Sequence, residues 1–136
     1  MTITVETTVS VPIETAWAAY TTPEDIMGWN AASDDWHTTA STVDLREGGA
    51  FHSRMEAKDG SMGFDFEGIY TKVIPQRLIE YSFGGRTASV EFAEEADGVR
   101  IKVAFEPEEQ NSLEDQRAGW DAILGSFKAY VERGAR

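Results

Sequence analysis

Four turn signals punctuate the chain between Gly49 and Phe105: Asp59-Gly60, Pro75-Gln76, Gly84-Gly85 and Asp97-Gly98. If each is a tight antiparallel connection, the stretch becomes a meander whose pairings can be written down. Phe51, Ser53 and Met55 then oppose Gly68, Phe66 and Phe64. Tyr70 opposes Tyr81 and Gly68 opposes Phe83. Tyr81 opposes Val90 and Ile79 opposes Phe92, while Phe92 opposes Val103 and Val90 opposes Phe105. These residues share one apolar face. The opposite face carries His52, Arg54, Asp65, Glu67, Ser82, Ser89, Glu91, Arg100, Lys102 and Glu106. Side chains alternate with period 2, so a one-residue slip in any hairpin would destroy this sorting.

The flanking segments supply a partner for that dry face. Ile3, Val5, Val9 and Val11 alternate with Thr4, Glu6, Thr8 and Ser10, which predicts a first strand over 3–11. Pro12 suits a first helical turn, and Ile13, Trp17 and Tyr20 fall roughly on one side of the short helix that follows. Thr22, Pro23, Glu24 and Asp25 have the order of cap, first position and acidic first turn for a second helix through Ile26, Met27 and Trp29. Residues 30–39 read as a polar loop holding Trp36 and His37, and a strand is expected near 41–45. Beyond Pro107, Asn111 or Ser112 caps a last helix, with Asp115 where a capping box usually has Glu. Leu113, Trp120, Ile123, Leu124, Phe127 and Val131 make its apolar stripe. About 20 residues at 1.5 Å each give that helix a length of roughly 30 Å. One amphipathic helix and one dry sheet face cover each other. The prediction is therefore a single α+β domain over 1–136: a seven-stranded antiparallel curved sheet wrapped on a long C-terminal helix, with two short helices between strands 1 and 2.

Charge and composition narrow the partners. The chain has 136 residues, 24 of them acidic against 12 Lys and Arg, for a formal net charge of -12. Such a surface repels phosphate backbones and anionic membranes, so neither nucleic acid nor membrane is an expected partner. Cysteine is absent, which removes disulfides and thiolate metal sites. No run reaches the roughly 20 apolar residues of a membrane span, and MTITVETTV lacks the basic and apolar regions of a signal peptide. A soluble cytoplasmic protein is expected.

Particular residues carry a family resemblance across nearly the whole chain. They are Val11-Pro12 leading to Ala16-Trp17, Thr22-Pro23-Glu24, Trp29, the run from Asp44 to Phe51, Met55 and Asp59-Gly60. They continue with the run from Phe66 to Tyr70, Val73 to Leu78, Phe105-Glu106-Pro107 and Gly119-Trp120. This pattern resembles the helix-grip (START or Bet v 1-like) fold of the START-like superfamily. More narrowly, it is similar to homologues of the heat-shock-protein-90 ATPase activator. The resemblance implies a cavity between sheet and long helix that holds apolar or amphipathic small molecules. Superfamily members include lipid carriers, hormone receptors, aromatase/cyclases and chaperone accessories, so activity has to be argued from the site.

The residues themselves point to where such a site would be. The dry face is rich in rings, and each ring either fills the core or walls a cavity. Gly68, inside a strand, marks a bend or a close backbone approach. Ser53, Tyr70 and Tyr81 bring hydroxyls to an apolar face, where each needs a partner. The expected lining is Trp36, Phe51, Ser53, Met55, Phe66, Tyr70, Tyr81, Trp120 and Leu124. Trp36 either lies on the domain's own surface or forms a lid over the mouth beside Trp29.

The charged constellations have simpler readings. His52 opposite Glu67 and Arg54 opposite Asp65 are expected as solvated cross-strand pairs on the polar face, contributing about 0.2–1 kcal/mol each. Asp34, Asp35 and His37 in one polar loop fall short of a metal site, which needs further ligands and supporting contacts. Neither histidine has a Ser and an acid placed to complete a triad. No catalytic residue, metal or cofactor is expected. The predicted function is binding of an apolar or amphipathic small molecule. The alternatives are a polyketide cyclase or dehydratase-like enzyme, or a chaperone-accessory module.

Overall fold

Residues 1–134 are described by a computed structural model. The elements in chain order are β1 (Ile3–Val9), α1 (Ile13–Thr21), α2 (Pro23–Trp29), β2 (Trp36–Val43), β3 (Ala50–Ala57), β4 (Gly63–Ile74), β5 (Leu78–Phe83), β6 (Arg86–Glu95), β7 (Gly98–Phe105) and α3 (Leu113–Glu132). The strands form one antiparallel sheet in the order β1-β7-β6-β5-β4-β3-β2. Bulges between Thr38 and Ala40 in β2 and between Tyr70 and Lys72 in β4 interrupt the ladder. Such insertions bend a strand and increase its twist, here in the half of the sheet farthest from β1.

The first two hairpin pairings follow the sequence arithmetic: Phe51 opposes Gly68, Ser53 opposes Phe66, Met55 opposes Phe64, and Tyr70 opposes Tyr81. The next two are each displaced by two residues. Tyr81 pairs with Ala88 rather than Val90, and Ile79 with Val90 rather than Phe92. Phe92 pairs with Ile101 and Val90 with Val103. The cause is turn length. Gly84 and Gly85 both have positive φ, 54° and 79°, so they alone make a two-residue turn that closes on Phe83 and Arg86. In the following hairpin Ala96 and Asp97 are the loop, closed by Glu95 opposite Gly98. A displacement of two preserves the parity of every side chain, and the predicted faces therefore survive.

Other boundaries move. The first strand ends at Val9, and Pro12 caps α1 instead of opening it. Thr22 precedes α2 with extended backbone angles, but its side chain makes no capping hydrogen bond. The expected polar loop over 30–39 is half strand, since β2 begins at Trp36. Thr38 points inward in this strand and is buried because its hydroxyl donates to Asn30 O at 2.7 Å. Leu113, counted in the helical stripe, is 43% exposed at the first position of α3.

Two further features position α3. Ser112 Oγ accepts from Asp115 N at 3.0 Å and closes the helix's N-terminus. Along β1, Arg117 donates to Thr4 O and Lys128 to Thr8 O, while Glu132 accepts from Ser10 N. Helix and strand numbers rise together, so α3 runs in the direction of β1. Its basic side chains satisfy carbonyls of an edge strand that would otherwise be open. At its C-terminal half, Phe127 packs edge-on against Tyr20 of α1 at 5.1 Å and Trp29 of α2 at 5.0 Å. Near its start, Trp120 stacks flat on Phe105 at 4.0 Å. Between these contacts helix and sheet part.

Candidate ligand cavity

The gap is a partly open cavity of about 310 Å³ between the middle of α3, the α1–α2 pair and strands β3 to β7. Its apolar walls come from elements far apart in sequence. Phe51 and Phe66 on adjacent strands meet at 5.6 Å, Phe51 meets Tyr81 edge-on at 5.0 Å, and Phe66 faces Trp120 at 6.3 Å. Ile123 and Leu124 complete the helical side. Not every ring of the dry face takes part. Phe83, Phe92, Phe105 and Phe127 are buried in the core and stand outside the lining. Gly68 serves this packing: an added Cβ would meet Ser82 O and lie 2.9 Å from two carbons of the Phe51 ring. The close approach foreseen at Gly68 is thus made by the protein's own Phe51.

Polar residues in the lining are few: Ser53, Tyr20, Tyr70 and Tyr81 with their hydroxyls, Asn30 and Arg86. Among the described residues, none of the four hydroxyls makes a hydrogen bond to protein. Burial raises all three phenols above the ordinary tyrosine value. Tyr70 is pushed up to about 12, first by desolvation and then by the negative charge of Asp44. Tyr20 goes higher by desolvation, reinforced by Tyr70. Tyr81 is also raised by desolvation and by the other two phenols, with Arg86 opposing. Near neutral pH all three are uncharged O–H groups, able both to donate and to accept.

The structure brings eight of the nine sequence-selected residues together around this space: Phe51, Ser53, Met55, Phe66, Tyr70, Tyr81, Trp120 and Leu124. Trp36 stands apart. It opens β2 opposite Ala57, where strand register fixes its direction, and it packs on Phe64 at 5.7 Å. Phe64 itself lines the cavity and is 50% exposed, and Trp36, on the same sheet face as Thr38 and Met55, packs on it just beyond the lining. Trp29 is no lid either: it is buried, with Nε1 donating to Ala19 O at 2.9 Å, and forms part of the wall.

Tyr20, Asn30 and Arg86 were missed by sequence reasoning. Arg86 has a readable signal. It shares parity with Ala88, Val90 and Phe92, so a charge stands at a position reserved for apolar side chains. Tyr20 sits on the apolar side of α1 with Ile13 and Trp17, but a helix–sheet contact cannot be located by periodicity alone.

On the convex face, His52 and Glu67 are in register as expected, but His52 Nε2 bonds the diagonal neighbour Asp65 at 2.7 Å. Arg54 reaches both Asp65 and Glu56. These groups are substantially exposed and lie outside the cavity. Among the described residues no cluster of three or more His, Asp or Glu could hold a metal, and no helix is long and apolar enough to cross a membrane.

A seven-stranded antiparallel sheet curled around a C-terminal helix, with two short helices between its first strands, defines a helix-grip protein. The family model described as activator of Hsp90 ATPase homolog 1-like protein matches residues 10–132, and the chain belongs to that family. Its structure is similar to the solution structure of an AHSA1-like protein from Aeromonas hydrophila, at 43% identity and a TM-score of 0.94, covering 99% of this chain and 94% of that one. A solution structure from Cytophaga hutchinsonii, 47% identical, has a TM-score of 0.83 and covers 98% and 93% of the two chains. A crystal structure from Chromobacterium violaceum, 24% identical, shares the fold at a TM-score of 0.86, covering 97% of this chain and 98% of that one. A comparison with curated proteins finds no match. START-like folds commonly bind hydrophobic ligands, and neither the family nor these structures specifies one.

Proposed function

We infer that this protein binds a small apolar or amphipathic molecule between α3 and the sheet. One observation carries the reading: a cavity of about 310 Å³ has aromatic walls and hydroxyls that have no hydrogen-bond partner in the protein among the described residues. These hydroxyls open onto the cavity, since among the described residues only Ser41 Oγ is sealed without a partner, and a site with apolar walls and a few converging polar groups is the usual form of a ligand pocket. Size limits the occupant. A dry cavity of 150 Å³ accepts benzene, so twice that volume suits roughly a dozen non-hydrogen atoms, a bicyclic aromatic or a short branched chain. The lining offers phenols, an amide and a guanidinium, and it has no carboxylate or imidazole among the described residues. Such groups orient a molecule better than they move its protons at neutral pH, which supports binding over the cyclase reading.

The test is titration of the protein with 2-naphthol, followed by two-dimensional NMR. Shifts concentrated at Phe51, Phe66, Tyr81 and Trp120 are expected. Ser53→Phe, which fills the space, should abolish them while leaving the remaining spectrum folded. Shifts confined to the convex face, or binding that persists in the filled variant, would overturn the reading.

A further inference from the structure

We propose that Arg86 makes this cavity selective for an amphipathic monocarboxylate, an apolar body of about a dozen non-hydrogen atoms whose single carboxylate meets the guanidinium at the rim. The proposal rests on the binding reading above and deepens it. Its first support is composition set against placement. Acids outnumber Lys and Arg by 24 to 12 in this chain, yet Arg86 is the one charged residue lining the cavity among the described residues. Chance alone would favour a carboxylate there.

Its second support is local geometry. Arg86 follows the two-residue Gly84-Gly85 turn and opens β6 directly opposite Phe83. Its guanidinium carbon lies 4.4 Å from the Phe83 ring centroid, and that ring packs against Phe66 at 5.6 Å and Trp120 at 5.8 Å. The aromatic wall therefore ends in a cation held flat against it. Nη1 donates to Glu106 O at 3.0 Å, which anchors one corner of the fork. A guanidinium has five N–H groups, so the other donors are open to a further acceptor. No carboxylate of the described residues forms an ion pair with Arg86. The nearby Glu106 carboxylate feels the Arg86 charge but forms no ion pair with it; its Oε1 accepts from Thr87 N at 2.7 Å and Thr87 Oγ1 at 2.9 Å.

A planar fork with free donors suits a carboxylate, which it can bind through two parallel hydrogen bonds. The phenols on the inner wall are neutral and suit an uncharged oxygen at the far end of the same molecule. The site thus has two polar poles of different character, and only the rim pole is charged. A cationic ligand would bring its charge to Arg86 and be rejected. A neutral one would leave Arg86 solvated, because the side chain is only half-buried.

The test compares three probes with a common body on the intact chain: 2-naphthoate, methyl 2-naphthoate and 2-naphthylmethylammonium, by calorimetry at pH 7. The wild type should bind the acid roughly tenfold more tightly than the ester, the scale of a charge-assisted hydrogen bond at a half-exposed site, and the ammonium most weakly. Arg86→Gln should bring acid and ester to about the same affinity, the acid losing roughly tenfold more than the ester. Arg86→Lys should restore part of the difference. In NMR, the Arg86 Nε–H resonance should move with the acid and stay with the ester. If the ester binds and the acid binds no better, the carboxylate assignment falls and the cavity reading stands. If no probe binds, both fall. Equal weakening of acid and ester in Arg86→Gln would also overturn the proposal, since Arg86 would then act only through the fold. Should that variant misfold, the wild-type order of acid, ester and ammonium still decides.

Discussion

Tyr81→Phe separates stability from recognition in one substitution. The ring of Tyr81 is well packed, meeting Phe51 at 5.0 Å and Phe83 at 5.5 Å, and phenylalanine keeps all of that contact. What is lost is an oxygen that has no protein hydrogen bond among the described residues. If water occupies the cavity in the free protein, the hydroxyl is satisfied and its removal is nearly neutral. If the cavity is dry, removal relieves an uncompensated polar group, a gain of about 1–3 kcal/mol. Stability should therefore hold or rise, by at most roughly 3–5 °C in Tm for each kcal/mol in a chain of this length. Recognition should move the other way. A ligand hydroxyl or carbonyl bonded to Tyr81 loses about 0.5–1.5 kcal/mol, a two- to twelvefold weakening. A ligand without oxygen loses nothing. Urea unfolding followed by circular dichroism gives the first quantity, and fluorescence titration with 2-naphthol and 2-methylnaphthalene gives the second. A drop in stability of more than 1 kcal/mol would refute the reasoning, because it would mean the hydroxyl already holds a partner in the fold.

The other predictions concern the phenols and the glycines. Because the folded-state value of Tyr70 lies above the unfolded one, its contribution is fully present below about pH 10 and is lost as pH climbs toward about 12. The loss attributable to Tyr70 approaches roughly 2–3 kcal/mol, so urea titrations at pH 9 and pH 11.5 should differ less in Tyr70→Phe than in wild type; an identical difference would remove the phenol from the account. Gly68→Ala should cost about 1–3 kcal/mol, since its Cβ meets backbone at Ser82 O and the Phe51 ring, and chemical denaturation measures this directly. Gly119→Ala, in α3 with nothing within 4 Å of the added carbon, should stabilise by about 0.5–1 kcal/mol in the same assay.

Which of these features could be read in advance depends on what enforces them. Facing in the meander is enforced by period 2, and so the inward direction of Ser53, Phe66, Tyr70 and Tyr81 was legible before any pairing was known. Exact partners are legible for β3–β4 and for Tyr70 opposite Tyr81; in β5–β6 they are not, because a Gly-Gly pair permits several loop lengths and only the backbone chooses the shortest. β2 hid for a different reason. Its Thr-Thr-Ala-Ser-Thr run lacks apolar alternation, and its inward residue Thr38 is tolerated because its hydroxyl donates to Asn30 O. The strand also fixes the Trp36 ring against Phe64, a direction that a loop would have left open. Arg86 is legible by its parity with Ala88, Val90 and Phe92. Tyr20 was illegible, for its place depends on how α1 docks, and no local pattern carries that information.

The cavity persists because α3 rests on two supports of different depth. Trp120 lies flat on Phe105 with an interplanar angle of 9°, which fixes the helix close to the sheet there. Seven residues later, about 10.5 Å along the axis, Phe127 is wedged between Tyr20 and Trp29, and those rings belong to α1 and α2 rather than to the sheet. The second support is therefore one layer thicker than the first. Between them the helix presents Ile123 and Leu124 to the cavity, on whose other walls stand Tyr70 and Tyr81. Curvature of the sheet toward β3 and β4, where the bulges lie, widens the gap further. Closing it would require breaking the stack on Phe105 or withdrawing the Tyr20–Trp29 pair, which itself meets at 4.9 Å and is tied by Trp29 Nε1 to α1. The same aromatic residues that make the core dense at either end thus hold its middle open, and the phenol hydroxyls sit where the protein itself supplies no partner.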